Sequence, residues 1–132
     1  MKFKTNPDVA TLLFRLTLGG VLIAHSLYLK LVVFTLPGTA QFFTSIGLPA
    51  ALAYLVFTIE AIGGIALLLG VKARYFALAL VPILLGATWA HWNAGWLFTN
   101  QGGGWEYPLV LTLMAIIQFF LGSGRYAVMK EN

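Results

Sequence analysis

Four stretches of nearly unbroken apolar residues, roughly Ala10–Leu29, Ala50–Gly70, Tyr75–Trp92 and Trp105–Gly122, alternate with polar and glycine-bearing segments along the chain. Each approaches the roughly twenty residues that a helix needs to cross a hydrocarbon core. Strands would require alternating apolar and polar positions over about ten residues in a closed barrel, and the sequence has no such alternation. The pattern predicts an all-α integral membrane protein in which residues 1–132 form a single four-transmembrane-helix bundle. Between the first two stretches, Gly38–Ile46 places Phe42, Phe43 and Ile46 at helical spacing opposite Gln41, Thr44 and Ser45. That predicts a short interfacial helix in the first outer loop. Asn93–Gly104 lacks periodicity and closes with Gln101-Gly102-Gly103-Gly104; it reads as an outer loop able to cap a site, with no nucleotide-binding spacing around its glycines.

Composition removes the soluble alternative. Of 132 residues, 60% are hydrophobic and 9% charged, whereas a soluble chain carries about a quarter charged residues. The absence of cysteine excludes disulfides, thiolate metal sites, iron–sulfur clusters and covalent haem attachment, so any redox chemistry needs a bound cofactor. The net charge of +4 is not gathered into a basic run with interleaved aromatics, which argues against nucleic acid. Lys2, Lys4, Lys72, Arg74, Arg125 and Lys130 instead flank one side of the expected spans, and the other connections hold only Lys30. The positive-inside rule then places both termini in the cytoplasm. Trp92, Trp96, Trp105 and Tyr107 gather at the opposite ends of spans three and four, as outer-interface anchors would, with Tyr75 and Tyr126 marking the inner one. Arg15 interrupts the first apolar run and no small-residue cleavage site follows, so span one is expected to be retained and not removed as a signal peptide.

Ionisable residues inside spans are costly and usually face the bundle interior. Arg15 lies about 12 Å above Pro7 and Glu60 about 15 Å above Gly70. Each shares a face with small residues, Gly19 and Ser26 for Arg15, and Ala53, Gly63 and Gly64 for Glu60. The expectation is an Arg15–Glu60 pair with Gln118 joining it at similar depth. Its role is either structural, a neutral pair locking spans one and two, or functional, a carboxylate that handles protons or ligand. A second group comes from three helices at the outer depth: His25, Lys30, His91 and Glu106, beside Trp105 and Tyr107. An imidazole and a carboxylate in an aromatic pocket suit a quinone head group, whose carbonyls they hydrogen-bond and whose protons they exchange. The bland alternative is that His25, Lys30 and Glu106 reach the headgroup layer by snorkelling. A bis-imidazole haem b on His25 and His91 is the weaker reading, because one histidine pair is a minimal signal; no other metal site is expected.

Taken in order, Leu12-Leu13-Phe14-Arg15-Leu16, Ala24-His25, Gly38-Thr39-Ala40-Gln41-Phe42-Phe43, Gly47-Leu48-Pro49, Ile59-Glu60-Ala61-Ile62-Gly63-Gly64 and Gly102-Gly103-Gly104-Trp105-Glu106-Tyr107-Pro108 resemble the DoxX family over nearly the whole chain. The resemblance implies a small four-helix inner-membrane protein associated with redox systems, some relatives being linked to thiosulfate:quinone oxidoreductase and others to membrane complexes resisting oxidative stress. It also implies that Arg15, His25, Glu60, His91 and Glu106 occupy the family's polar positions. Where the family commonly has His-Gly with a lysine four residues after the histidine, this chain has His25-Ser26 with Lys30 five residues on.

Three functions follow as expectations. The first is a membrane subunit of a quinone-linked oxidoreductase with an outer quinone pocket at His25, His91, Trp105, Glu106 and Tyr107. The second is a non-catalytic anchor or scaffold for a soluble or membrane redox partner. The third and weakest is a small-solute carrier, since Glu60 lies near the midplane but has no counterpart in the apolar Leu113–Ile117 of span four. An enzyme acting alone is not expected. Homo-oligomers through the small residues of span two are compatible with the pattern.

Overall fold

The computed structural model describes residues 4–97 and 99–130; Lys2, one of the lysines used for topology, lies outside them. Helix α1 (Pro7–Ile23) continues without a break into a π-helical segment (Ala24–Val33). A short α2 (Leu36–Ser45) follows, then α3 (Ala50–Leu69), α4 (Ala73–Ala90), a 3₁₀ turn (Trp92–Ala94) and α5 (Glu106–Leu121). The first apolar element therefore runs four residues beyond the expected Leu29. Among the described residues, three helices are long and apolar enough to cross a membrane, Pro7–Val33, Ala50–Leu69 and Ala73–Ala90. The 16 residues of α5 span about 24 Å, short of a hydrocarbon core of about 30 Å.

The boundaries follow local chemistry. Asn6 caps α1 by accepting from the Val9 N–H at 3.2 Å, with Pro7 at the first helical position. Thr35 caps α2 in the same way toward Gly38. Gly70 ends α3 in the left-handed conformation (φ 77°), and the Gly70 and Val71 N–H groups both return to the Ala66 carbonyl. Hydroxyls inside the helices bond their own backbones one turn back, as in Thr11 to Pro7, Ser26 to Leu22, Thr88 to Leu84 and Thr112 to Pro108. This satisfies them without a partner helix.

Helix α1 packs on α3, α3 on α4, α4 on α5, and α5 returns to α1. The shared core is Leu18, Leu22, Leu67, Ala73, Leu80, Leu84, Leu111 and Ala115. Residues such as Leu13, Leu55, Ile62, Leu78, Leu85, Leu113 and Phe120 point outward, an apolar exterior far larger than water tolerates. Helices α1 and α3 approach closely at the expected small residues. A Cβ on Gly19 would lie 3.0 Å from the Gly64 carbonyl oxygen and 3.1 Å from the Leu68 nitrogen.

Arg15 and Glu60 are both buried, as expected, but they do not pair. Arg15 donates to the backbone carbonyls of Ser123 at 2.5 Å and Tyr126 at 2.9 Å, and Glu60 pairs with Lys30. The reason is the lean of helical side chains toward the N-terminus of their own helix. Helices α1 and α3 are antiparallel, so Arg15 leans toward the end where α1 begins, while Glu60 leans toward the end where α3 begins. Matching Cα heights cannot join two side chains that diverge.

At its own end, called basal here, Arg15 needs no carboxylate. A Cβ on Gly70 would come 2.9 Å from the guanidinium carbon, and Ser123 follows directly on the end of α5, so the cation sits at two helix C-termini, where the backbone carries partial negative charge. Gln118 turns to the same stretch, its amide donating to the Gly122 carbonyl at 2.6 Å. The segment after α5 is pinned further: the Ser123 hydroxyl accepts from the Ala73 N–H, and Val128 N–H donates to the Leu69 carbonyl at 2.9 Å. The expected cluster of Arg15, Glu60 and Gln118 is thus reduced to Arg15 and Gln118 around residues 122–126.

Candidate functional site

The opposite, distal end carries the remaining polar chemistry. In the π segment the backbone bonds run from residue i to i+5, as in Phe34 N–H to the Leu29 carbonyl, so residues five apart stand about one turn from each other. His25 and Lys30, five apart, are therefore stacked where an ordinary helix would send them to different faces. Such π segments are uncommon and concentrate at functional sites.

Lys30 leans back from this segment into the bundle and meets Glu60 of α3, its Nζ 2.9 Å from Oε1 and 3.2 Å from Oε2. The carboxylate side chain is 6% exposed and the lysine side chain 19%. Lys30 thus does not snorkel outward; a helix running toward the distal end tilts its side chains inward instead. Thr39 of α2 braces the lysine backbone, its hydroxyl lying 3.4 Å from the Lys30 carbonyl and 2.8 Å from that of Thr35. Inside an apolar bundle each of the two charges is tolerable only because of the other.

His25, one turn from Lys30, faces α5. Its ring lies 5.8 Å from that of Tyr107, tilted by 33°. Imidazole, phenol, ammonium and carboxylate thus come from the π segment, α5 and α3 to one region of the distal bundle. Imidazole donates or accepts a hydrogen bond, and the phenol does both.

The other expected outer residues lie in the loop between α4 and α5. Trp105 stacks on Trp92 at 4.6 Å and meets Trp96 edge-on at 4.4 Å. The loop is tied at its base by Trp105 N–H to the Gly95 carbonyl and Glu106 N–H to that of Trp96. Gly104 makes this closure possible, because a Cβ there would come within 2.4 Å of the Leu97 carbonyl group. His91, at the end of α4, lies with Nδ1 3.2 Å from the Gly102 carbonyl, which requires that nitrogen to be the donor. Glu106 opens α5, where a negative charge suits the helix N-terminus. A cavity of about 270 Å³ beside this loop is lined by Ile46, Trp89, Ala90, Trp92 and Asn93.

The predicted outer group therefore divides. His25 and Tyr107 come together beside Lys30 and Glu60, whereas Trp105 and His91 have their described contacts within the loop. Sequence reasoning missed Lys30 as the partner of Glu60, and the direction of helical lean was the signal that would have found it. Among the described residues no three His, Asp or Glu side chains gather into a metal-holding group.

The Bacillus subtilis (strain 168) protein named "Putative oxidoreductase CatD" is 36% identical over 80 residues, which cover 61% of this chain and 58% of that protein. The chain thus matches less than two thirds of that relative's length. No solved structure matches. The DoxX family model matches residues 10–92, a stretch that holds Arg15, His25, Lys30, Glu60 and His91 and ends before Tyr107. With more than half of its length matched, this membrane protein belongs to the DoxX family.

Proposed function

We propose that this protein is the membrane subunit of a quinone-linked redox system, and that a quinone head group docks against His25 and Tyr107. One observation carries the reading: an imidazole and a phenol from different helices meet at 5.8 Å, one π turn from the lysine that pairs with the buried Glu60. The two rings offer donors to the carbonyls of a flat, apolar ligand, which is how small-molecule sites combine apolar walls with few polar groups. The oxidoreductase name of the Bacillus subtilis relative favours the same class of chemistry. In this reading α5 also crosses the bilayer, its 16 residues accommodated by local thinning, and both ends of the sequence lie on the cytoplasmic side of the inner membrane, where Lys72, Arg74, Arg125 and Lys130 collect. The site then opens near the outer face.

The test is to purify the protein in mild detergent, extract bound small molecules and identify them by mass spectrometry against a control membrane protein. Near-stoichiometric quinone that drops at least tenfold in His25→Ala and in Tyr107→Phe is the expected result. Quinone retained unchanged by both variants, or only bulk lipid in the wild type, rejects the docking site. The exposed Trp92, Trp96 and Leu97 of the distal loop favour a second reading, a scaffold that docks a redox partner through this loop; it is the one left if no ring is bound.

A further inference from the structure

We propose that Glu60 is the proton acceptor for a ring hydroxyl held at His25 and Tyr107, and that Lys30 is the cation passed from the Glu60 carboxylate to the ring oxygen left behind. The proposal rests on the docking site above and names the form of substrate it takes: a hydroxyaromatic ring, the reduced form of a quinone. Of the described acidic residues, Asp8, Glu60 and Glu106, only Glu60 is buried. It stands midway along α3 with both oxygens against one ammonium. That ammonium ends a long flexible stem rooted one π turn from His25, so a ligand oxygen at His25 lies on the same face as the root of the lysine.

In the step itself, the O–H bond of the ring hydroxyl breaks and an O–H bond forms on the Glu60 carboxylate. The electron pair of the broken bond stays on the ring oxygen, and no atom is oxidised or reduced. Before it, the site holds a neutral hydroxyl and a neutral ion pair; after it, a neutral carboxyl and a neutral ammonium–aryloxide pair. The net charge inside the bundle does not change. Isolated charges are what the membrane interior penalises, so an exchange that never leaves one unpaired is the inexpensive route to a deprotonated ring. The Tyr107 hydroxyl and His25 hold the ring during the exchange.

Infrared difference spectroscopy on the purified full chain tests this by adding a short-chain benzohydroquinone, and separately its dimethyl ether, which fits a similar space but has no proton to give. Binding of each ring is followed independently by calorimetry. The expected result is a new protonated-carboxyl band with the hydroquinone and none with the ether. The band should be lost in Glu60→Gln and present before any ligand in Lys30→Met. If Glu60→Gln does not fold, Glu60→Asp serves, since a changed carboxyl moves the band, and Glu106→Gln should leave it in place. A hydroquinone that binds without raising the band, or a band that arises equally with the ether, overturns the proton transfer and leaves the docking site standing. Binding of neither ring overturns both.

Discussion

Removing one member of the Lys30–Glu60 pair separates it from the pairing that helix heights alone suggest. In Lys30→Met the Glu60 carboxylate, 6% exposed, loses both of its contacts with the ammonium at 2.9 and 3.2 Å. Breaking a buried pair on one side costs about 3–5 kcal/mol. The lysine side chain keeps 19% exposure and regains part of its hydration when freed, so Glu60→Gln should cost less, about 2–3 kcal/mol, the range of a lost hydrogen bond to a charged group. The double variant Lys30→Met/Glu60→Gln removes both charges and should recover about 1–3 kcal/mol of the summed losses, the coupling expected of residues in direct contact. The assay is reversible unfolding in mixed detergent micelles followed by far-ultraviolet circular dichroism, with the cycle repeated for Arg15→Met and Glu60→Gln. That second cycle should be additive to within about 0.5 kcal/mol, as for residues sharing no partner. Additivity between Lys30 and Glu60, or coupling between Arg15 and Glu60, would refute the assignment.

Arg15→Met should cost about 3–5 kcal/mol by leaving the Ser123 and Tyr126 carbonyls without their charged donor; trypsin should then cut at Arg125 far faster than in the wild type, and an unchanged rate would count against the clamp. Gly19→Leu should destabilise by at least about 1–3 kcal/mol through overpacking against Gly64 and Leu68, while Gly20→Leu, where a Cβ meets nothing within 4 Å, should be nearly neutral in the same denaturation assay. Gly104→Ala should disrupt the distal loop, because the added Cβ overlaps the Leu97 carbonyl; loss of the near-ultraviolet circular dichroism from the Trp92–Trp105 stack is the readout, and Gly86→Ala, with open space, is the control.

Most of the helical architecture was legible because lipid-facing sequence carries a strong and simple signal. The stretches Ala50–Gly70 and Trp105–Gly122 became helices within a residue at each end, and the short helix read over Gly38–Ile46 became α2, at Leu36–Ser45. The small faces of Gly19 and Gly64 also met as read. What the residues withheld was direction. Apolar periodicity fixes which face is inward, but not that Arg15 tips toward one end and Glu60 toward the other, and partner choice depends on that tilt. Nor does any local pattern announce that Ala24–Val33 winds as a π segment, which alone makes His25 and Lys30 neighbours. The distal group divided for a third reason: residues of similar depth, such as His91 and Tyr107, belong to a loop and a helix whose separate hydrogen bonds decide what each one faces.

The clamp at Arg15 has a consequence for biogenesis. Its two hydrogen-bond partners lie 108 and 111 residues further along the chain, beyond the last helix, so the first membrane segment leaves the ribosome and enters lipid with a bare guanidinium. Contacts this distant in sequence form late and slowly. Until residues 123–126 have been made and folded back, that segment is held only by its apolar faces and by water or headgroups drawn to the cation. A copy interrupted after α5 lacks both carbonyl partners of Arg15 and leaves its guanidinium unsatisfied among apolar helices, where an unpaired charge is costly.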